Sequence, residues 1–479
     1  MKRNSVYKII GLFTLVVLFG TSCKKFLDVN EDPNNISAEN AKIEYNLTSS
    51  QYTIAYVLGN KYQELGGFLA QYWTQLPSAT QYYDYDRYSF DGADANREWA
   101  QMYAGALRDL KFIVEKGSTD GDSNYVAIAK FLQAYTYQLL SDVHGDIPFS
   151  EALMAQDGNI SPKYDAQADI YDGCVKLIDD GMLWIGSENA RVPGAEDVMF
   201  QGDMSMWIKF ANTVKLKLAI RQSGKRPAVA QALLSELNGV DFIGAGETAA
   251  VPFFETLGNR NPLYASILGL GVNNNVASKT IGDVLNNWQD PRAEFMFDGA
   301  TFGAAGINGI VQGAAAAGGF PSTAPRTSVA ETIIGATVPV ILISGTESLF
   351  LQAEAKEMMA PGDGRAAYEE ALVESMTYCG VDTAGMDLLL NANYSWDSTT
   401  NHMALIATQK WVALCGTQNM EAWIDTRRTN TPSFTPSLAS TLATGALPQR
   451  IPYSSDEETA NSNFPGQESL TKKMWWADF

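Results

Sequence analysis

Two histidines, His144 and His402, are all that this 479-residue chain offers for imidazole chemistry. A Ser–His–Asp arrangement needs a histidine oriented by a carboxylate, and a zinc centre usually draws on two or three His or Cys ligands. His144 stands between Asp142 and Asp146, which would suit a general base. The same five residues read as a polar turn after the apolar run 125–140, and the turn is the expectation. No HExxH, GxSxG or GxxxxGK[ST] occurs. The four cysteines, Cys23, Cys174, Cys379 and Cys415, lie far apart with no CxxC pair, so neither a zinc centre nor a disulfide framework is expected. A single disulfide among the last three stays open in an oxidising compartment. Asp120-Gly121-Asp122-Ser123-Asn124 begins like a calcium loop, but Tyr125 stands where Gly is required and Phe131 where the bidentate Glu would fall. We read it as a helix-capping loop with Ser123 or Asn124 at the N-cap. A glycosidase needs two carboxylates at a set separation, and 54 Asp and Glu offer too many candidates to locate a pair. No catalytic residue, metal site or cofactor is therefore expected.

Binding chemistry is more legible. Residues 72–99 contain Tyr72, Trp73, Tyr82, Tyr83, Tyr85, Tyr88, Phe90 and Trp99, interrupted by Pro77 and Gly92. Aromatic faces stack on the apolar CH faces of sugars, while carboxylates and guanidinium groups bind hydroxyls. Tyr82 and Tyr83 are the favoured stacking rings, with Asp84 and Arg87 as polar partners. Trp73 is a further candidate, although Phe68, Leu69, Tyr72 and Leu76 continue a helical stripe around it that would draw it into the core.

The elements that position these residues begin with a targeting segment. Lys2, Arg3 and Lys8 precede an apolar run from Ile9 to Phe19, followed by Gly20, Thr21, Ser22 and Cys23. A charged start, a short apolar core and small residues before the cut make residues 1–22 a signal peptide. The run is too short to span a bilayer comfortably. Cysteine directly after the small residues marks Cys23 as a lipid acceptor, although Gly20 stands where bacterial lipoboxes usually carry Leu. Cleavage before Cys23 removes three basic and no acidic residues, taking the net charge from −20 to −23. Such a body would meet the membrane only through its acyl chains, and more than one chain is needed for a stable anchor. This acidity also argues against nucleic acid as a partner, because phosphate binding needs a basic face.

Residues 23–45 read as a tether and residues 46–479 as the body. Apolar residues recur at spacings of three and four over 98–116, 125–140, 169–183, 206–220, 347–359, 365–379 and 402–414. Strand-like alternation is scarce. Paired amphipathic helices with short breaks predict a mainly α fold with a tetratricopeptide-like core. Segments 299–319, almost all Gly and Ala, and 383–400 and 430–465, rich in Asn, Ser, Thr and Pro, are expected to be loops, the first flexible or tightly turned.

Several stretches, in order along nearly the whole mature chain, resemble the SusD/RagB superfamily, and specifically its SusD-like lipoproteins. Phe26-Leu27-Asp28-Val29-Asn30 and Asp32-Pro33-Asn34 follow the cysteine. Gly145-Asp146-Ile147-Pro148-Phe149-Ser150-Glu151-Ala152 is the most specific motif. Pro162-Lys163-Tyr164-Asp165, Asp197-Val198-Met199-Phe200, Gly202-Asp203 and Trp207-Ile208-Lys209-Phe210 come next. Gln409-Lys410-Trp411, Glu421-Ala422-Trp423, Arg427-Arg428-Thr429 and Arg450-Ile451-Pro452-Tyr453 close the pattern. Lipoboxes in Bacteroidetes, the phylum of SusD-like proteins, tolerate the departure at Gly20. The resemblance implies four tetratricopeptide-type units, an irregular ligand-binding part and no catalysis. It also implies a lipid-anchored place on the outer membrane at the cell surface, and docking onto a SusC-like TonB-dependent barrel that receives a glycan or another nutrient. The competing readings are a lipoprotein hydrolase and a tetratricopeptide scaffold that binds only protein.

Overall fold

Apolar residues three and four apart draw most of the chain into helices, and the computed structural model describes residues 41–186, 190–300 and 306–477. The signal segment 1–22, Cys23 and most of the expected tether lie outside the described residues. The first helix among the described residues, Ile43–Val57, starts inside the range 23–45 read as tether, because Ile43 and Leu47 are buried in the main core. It continues through a π turn, Leu58–Tyr62, into Gln63–Leu69.

The expected amphipathic runs all form helices. Asn96–Ala100, a π turn at Gln101–Leu107 and Arg108–Asp120 make one continuous run. Gly121, at φ +84°, ends that run in the left-handed conformation that glycine adopts without a Cβ penalty. The chain then returns as Ser123–His144, which packs against both Arg108–Asp120 and Gln167–Trp184. The N-cap is Asp122, not Ser123 or Asn124, and its carboxylate is taken up by Arg191. Met204–Arg221 packs on Pro227–Glu236. In the C-terminal half Gly345–Met359 packs on Arg365–Tyr378 and His402–Ala413, and His402–Ala413 on Asn419–Thr429. These stacked pairs are the helical, tetratricopeptide-type core. Each strand pair described is short and antiparallel: Trp73–Gln75 with Asn275–Ala277, Ile147–Pro148 with Tyr164–Asp165, and Thr248–Val251 with Val340–Ser344.

One apolar cluster runs from Ile43 to Ala477, so the two ends of the described chain share a core. Gly66 shows how close the packing is. A Cβ there would sit 2.5 Å from the Met420 backbone nitrogen, so only glycine lets Gln63–Leu69 lie directly on Asn419–Thr429. Two further expectations fail. Residues 383–400 are not a plain loop: they form Thr383–Leu388, a π turn at Leu389–Asn393 and a short turn at Trp396–Ser398. Leu389, Tyr394 and Trp396 pull this segment into a second apolar cluster with Tyr368 and Phe350. Met204–Arg221 is not amphipathic over its second half; every residue from Phe210 to Arg221 is buried. Lys217 and Arg221 go inside because carboxylates meet them there, Glu347 and Glu421 for Lys217, Asp142 and Glu421 for Arg221.

Candidate ligand-binding face

The strongest motif in the sequence is structural. His144 ends its helix and is fully buried, not set in a polar turn. Its Nδ1 lies 2.8 Å from the Pro452 carbonyl, which can only accept, so Nδ1 carries the proton and Nε2 accepts from the Tyr62 hydroxyl at 3.2 Å. Burial, reinforced by the Arg450 charge, lowers His144 to about 3, so the ring is neutral and sealed away from any substrate. Gly145, at φ +99°, turns the chain under the Arg450 guanidinium, and Arg450 donates to the His144 carbonyl. Asp165 then accepts from the backbone N–H of Phe149 and of Ser150, at 3.1 and 2.7 Å. The segment thus staples the Ser123–His144 helix to the distant Arg450–Tyr453 strip. Asp197 works similarly, accepting from Gln51, Gly202 and Trp207. His402 contacts Glu357 at 2.9 Å and stacks on Trp396, a helix-start contact. Among the described residues no group of three His, Cys, Asp or Glu is placed to hold a metal ion, and Cys174, Cys379 and Cys415 are free thiols.

The expected binding residues divide between core and surface. Trp73 is completely buried in the short strand Trp73–Gln75, after the helix stops at Leu69, and cannot meet a ligand. Tyr82 is 3% exposed, packed edge-on against Phe68 and stacked on Tyr85. Both are corrections: each ring fills the core where the strand and the helix Tyr83–Arg87 meet. Tyr83, Asp84 and Arg87 reach the surface. The Arg87 guanidinium carbon lies 5.1 Å from the Tyr83 ring centre, a cation–π stack. Asp84 is exposed and accepts from Ser89 at 2.9 Å.

Two loops complete this face. The Gly/Ala segment comes against it, with the Ala316 carbonyl 3.5 Å from Arg87 Nη2. Thr441 donates to the Arg87 carbonyl through its backbone N–H at 2.8 Å. Far from flexible, residues 306–320 are turned and pinned: Ile310 and Ala314 are buried in a small cluster with Leu76 and Val276, and Phe320 packs against it. Below the face lies Asp86, fully buried. It accepts from Thr74 (2.9 Å), the Gln75 backbone (3.1 Å) and Gln312 (2.7 Å). Burial outweighs these bonds and raises its carboxyl to about 7. Gln312 was missed in the sequence, although it is the only polar side chain between Gly309 and Gly319.

The arrangement is an open face carrying one ring, one guanidinium, one exposed carboxylate and backbone carbonyls. A model of the family described as "Starch-binding associating with outer membrane" matches residues 33–454. The chain belongs to the SusD-like family. The fold agrees. A structure titled as a chitin-binding protein superposes with a TM-score of 0.76 at 24% identity, covering 90% of this chain and 100% of that one. A chitin-binding SusD homologue from Flavobacterium johnsoniae gives 0.73 at 19%, covering 91% and 97%. A SusD homologue from Bacteroides uniformis gives 0.74 at 21%, covering 91% and 100%. No curated protein matches the chain. For this SusD-like chain, no helix among the described residues is long and apolar enough to cross a membrane.

Proposed function

We propose that this SusD-like protein is a lipid-anchored outer-membrane protein that binds a glycan at the Tyr83–Arg87 face and passes it to a SusC-like TonB-dependent barrel, without catalysis. The family assignment supports the nutrient-binding part. Two relatives of like fold are titled chitin-binding, which makes N-acetylglucosamine oligomers the first ligands to try. The observation that carries the site is the half-buried Tyr83 ring held by Arg87 beside an exposed Asp84. A stacking ring with hydroxyl-binding neighbours is the minimum a sugar face requires. Lipidation at Cys23 supplies the anchor, and the family assignment supports the barrel partner.

Calorimetric titration with chitin, starch and other oligosaccharides, with product analysis of the same mixtures, tests the reading. Weak, saturable binding without new products is expected. Product formation would replace binding by hydrolysis, and a protein that binds no glycan but still co-purifies with a barrel would move the ligand to another nutrient class. Recovery of no barrel from mild-detergent membranes would count against the partner.

A further inference from the structure

Away from the Tyr83 face, a second concave site has a chemistry unlike the rest of this acidic molecule. A cavity of about 240 Å³ opens beside the Asn419–Thr429 helix, between the 430–434 segment and the strips 447–449 and 473–477. Leu69, Phe434 and Leu447 give it apolar walls, and its two charged lining residues, Arg427 and Lys473, are both cations. No carboxylate of the described residues lines it, in a chain of net charge −20.

Arg427 is the informative residue. It is buried, with its guanidinium carbon 3.7 Å from the Trp423 ring centre. Among the described residues its donors reach backbone carbonyls only: Trp423 at 3.4 Å, Asp142 at 2.8 Å, and Gln449. A guanidinium has five N–H donors, so capacity is left over. Arg292 and Arg428, buried to a similar depth, each hold a carboxylate, Asp290 at 2.6 Å and Glu354 at 2.7 Å. Burial pulls Arg427 down to about 9, against the opposing Asp142 and Glu421 charges and with the Arg221 charge adding to the fall. A cavity of about 150 Å³ accepts a benzene ring, so this one has room for a ring and a carboxylate.

We propose that this cavity binds a small organic carboxylate with an apolar body. The carboxylate meets Arg427 and the Lys473 ammonium, and the body lies against Phe434, Leu447 and Leu69. The site is separate from the glycan face and stands whether or not that reading holds.

Saturation-transfer NMR and calorimetry on the full chain, with benzoate as probe and benzamide as its neutral isostere, test it. Benzoate should bind saturably and benzamide should not. Because Lys473 is exposed, Lys473→Met should fold as wild type and weaken benzoate by about tenfold or more, the loss of one charge-assisted contact. Tyr83→Ala should leave benzoate binding untouched, which keeps this test apart from the glycan one. Equal binding of benzoate and benzamide, no binding of benzoate at about 10 mM, well above a millimolar constant, or wild-type affinity in Lys473→Met would each overturn the proposal.

Discussion

Gln312 donates its side-chain amide to the Asp86 carboxylate at 2.7 Å. The bond joins the Gly/Ala loop to the helix Tyr83–Arg87, with Thr74 of the neighbouring strand bonded to the same carboxylate. One buried acid therefore bridges two segments of the proposed ligand face. The same loop continues to the third segment, since Leu438 N–H donates to the Gln312 carbonyl at 3.0 Å.

Gln312→Leu should free that loop. Leaving Asp86 one donor short costs about 1–3 kcal/mol of stability. Hydrogen exchange is expected to quicken in 306–320 and 437–441 while the Ser123–His144 helix stays protected. Uniformly faster exchange would mean that the bond supports the whole core and not the face.

Stability should fall as pH rises from about 4 to about 7. Burial raises Glu64 and Asp86 to about 7 in the folded chain, above their ordinary values of 4.5 and 3.8. The folded state keeps two protons that the unfolded chain has released. Their contribution is complete below the unfolded values and lost as pH passes the folded ones. Glu421 behaves oppositely. Burial alone would raise it, but Arg221 and Lys217 hold it at about 2, so its contribution is present above its ordinary 4.5 and lost on acidification. Urea melts of wild type and Glu64→Gln at about pH 5 and pH 8 check this, and the variant should show the shallower fall. Identical slopes would remove Glu64 from the account.

Arg221→Met should be among the most damaging single changes. Buried Arg221 pairs with buried Asp142 and with partly buried Glu421, and Asp142 also accepts from Tyr171 at 2.6 Å and Trp476 at 2.9 Å. Removing the guanidinium leaves Asp142 without its cation and Glu421 with Lys217 alone, a loss of about 3–5 kcal/mol. Denaturant melts measure it, and a loss below about 1 kcal/mol, the scale of an exposed pair, would show that water replaces the pair.

The helices were legible because their apolar periodicity is local and survives folding. Ser123–His144 and Gly345–Met359 need no distant information to be recognised. Trp73 was misplaced because its fate depends on Asn275–Ala277, about 200 residues away, which pairs with Trp73–Gln75, and Tyr82 because it packs on Phe68 of a preceding helix and is held by Gln75 of that strand. Residues 383–400 look like a polar loop by composition, yet Leu389, Tyr394 and Trp396 suffice to anchor it. Asp86 and Gln312 are invisible to periodicity, since a buried hydrogen bond between remote segments leaves no local pattern.

Cys23→Ala should move the protein from the membrane fraction to the soluble one. Membrane attachment resting on acyl chains disappears with the only thiol at the expected cleavage point. Labelling with a fatty-acid analogue gives the direct readout, and a wild-type chain that takes up no label would end the lipid-anchor reading.

Tyr82 and Tyr83 are adjacent in sequence and should respond oppositely to the same truncation. Tyr82 is 3% exposed among Phe68 and Tyr85, and its backbone N–H is held by Gln75 at 2.5 Å. Tyr82→Ala opens a cavity in the main core, and losing a buried aromatic ring costs about 3–5 kcal/mol. Tyr83 begins the short helix with its ring toward Arg87 at the surface, so Tyr83→Ala removes no core contact of that size. In the proposed function its ring stacks on the sugar, and a millimolar site binds with only about −4 kcal/mol. Loss of one stacking ring removes much of that. Tyr83→Ala is therefore expected to abolish measurable glycan binding while its melting temperature stays at the wild-type value. Tyr82→Ala should melt lower and, where folded, still bind. If Tyr83→Ala binds normally, the glycan does not stack here, and the ligand face must be sought along the 383–400 segment, whose Asn391 and Asp397 line a separate surface groove with Arg365 of the neighbouring helix Arg365–Tyr378.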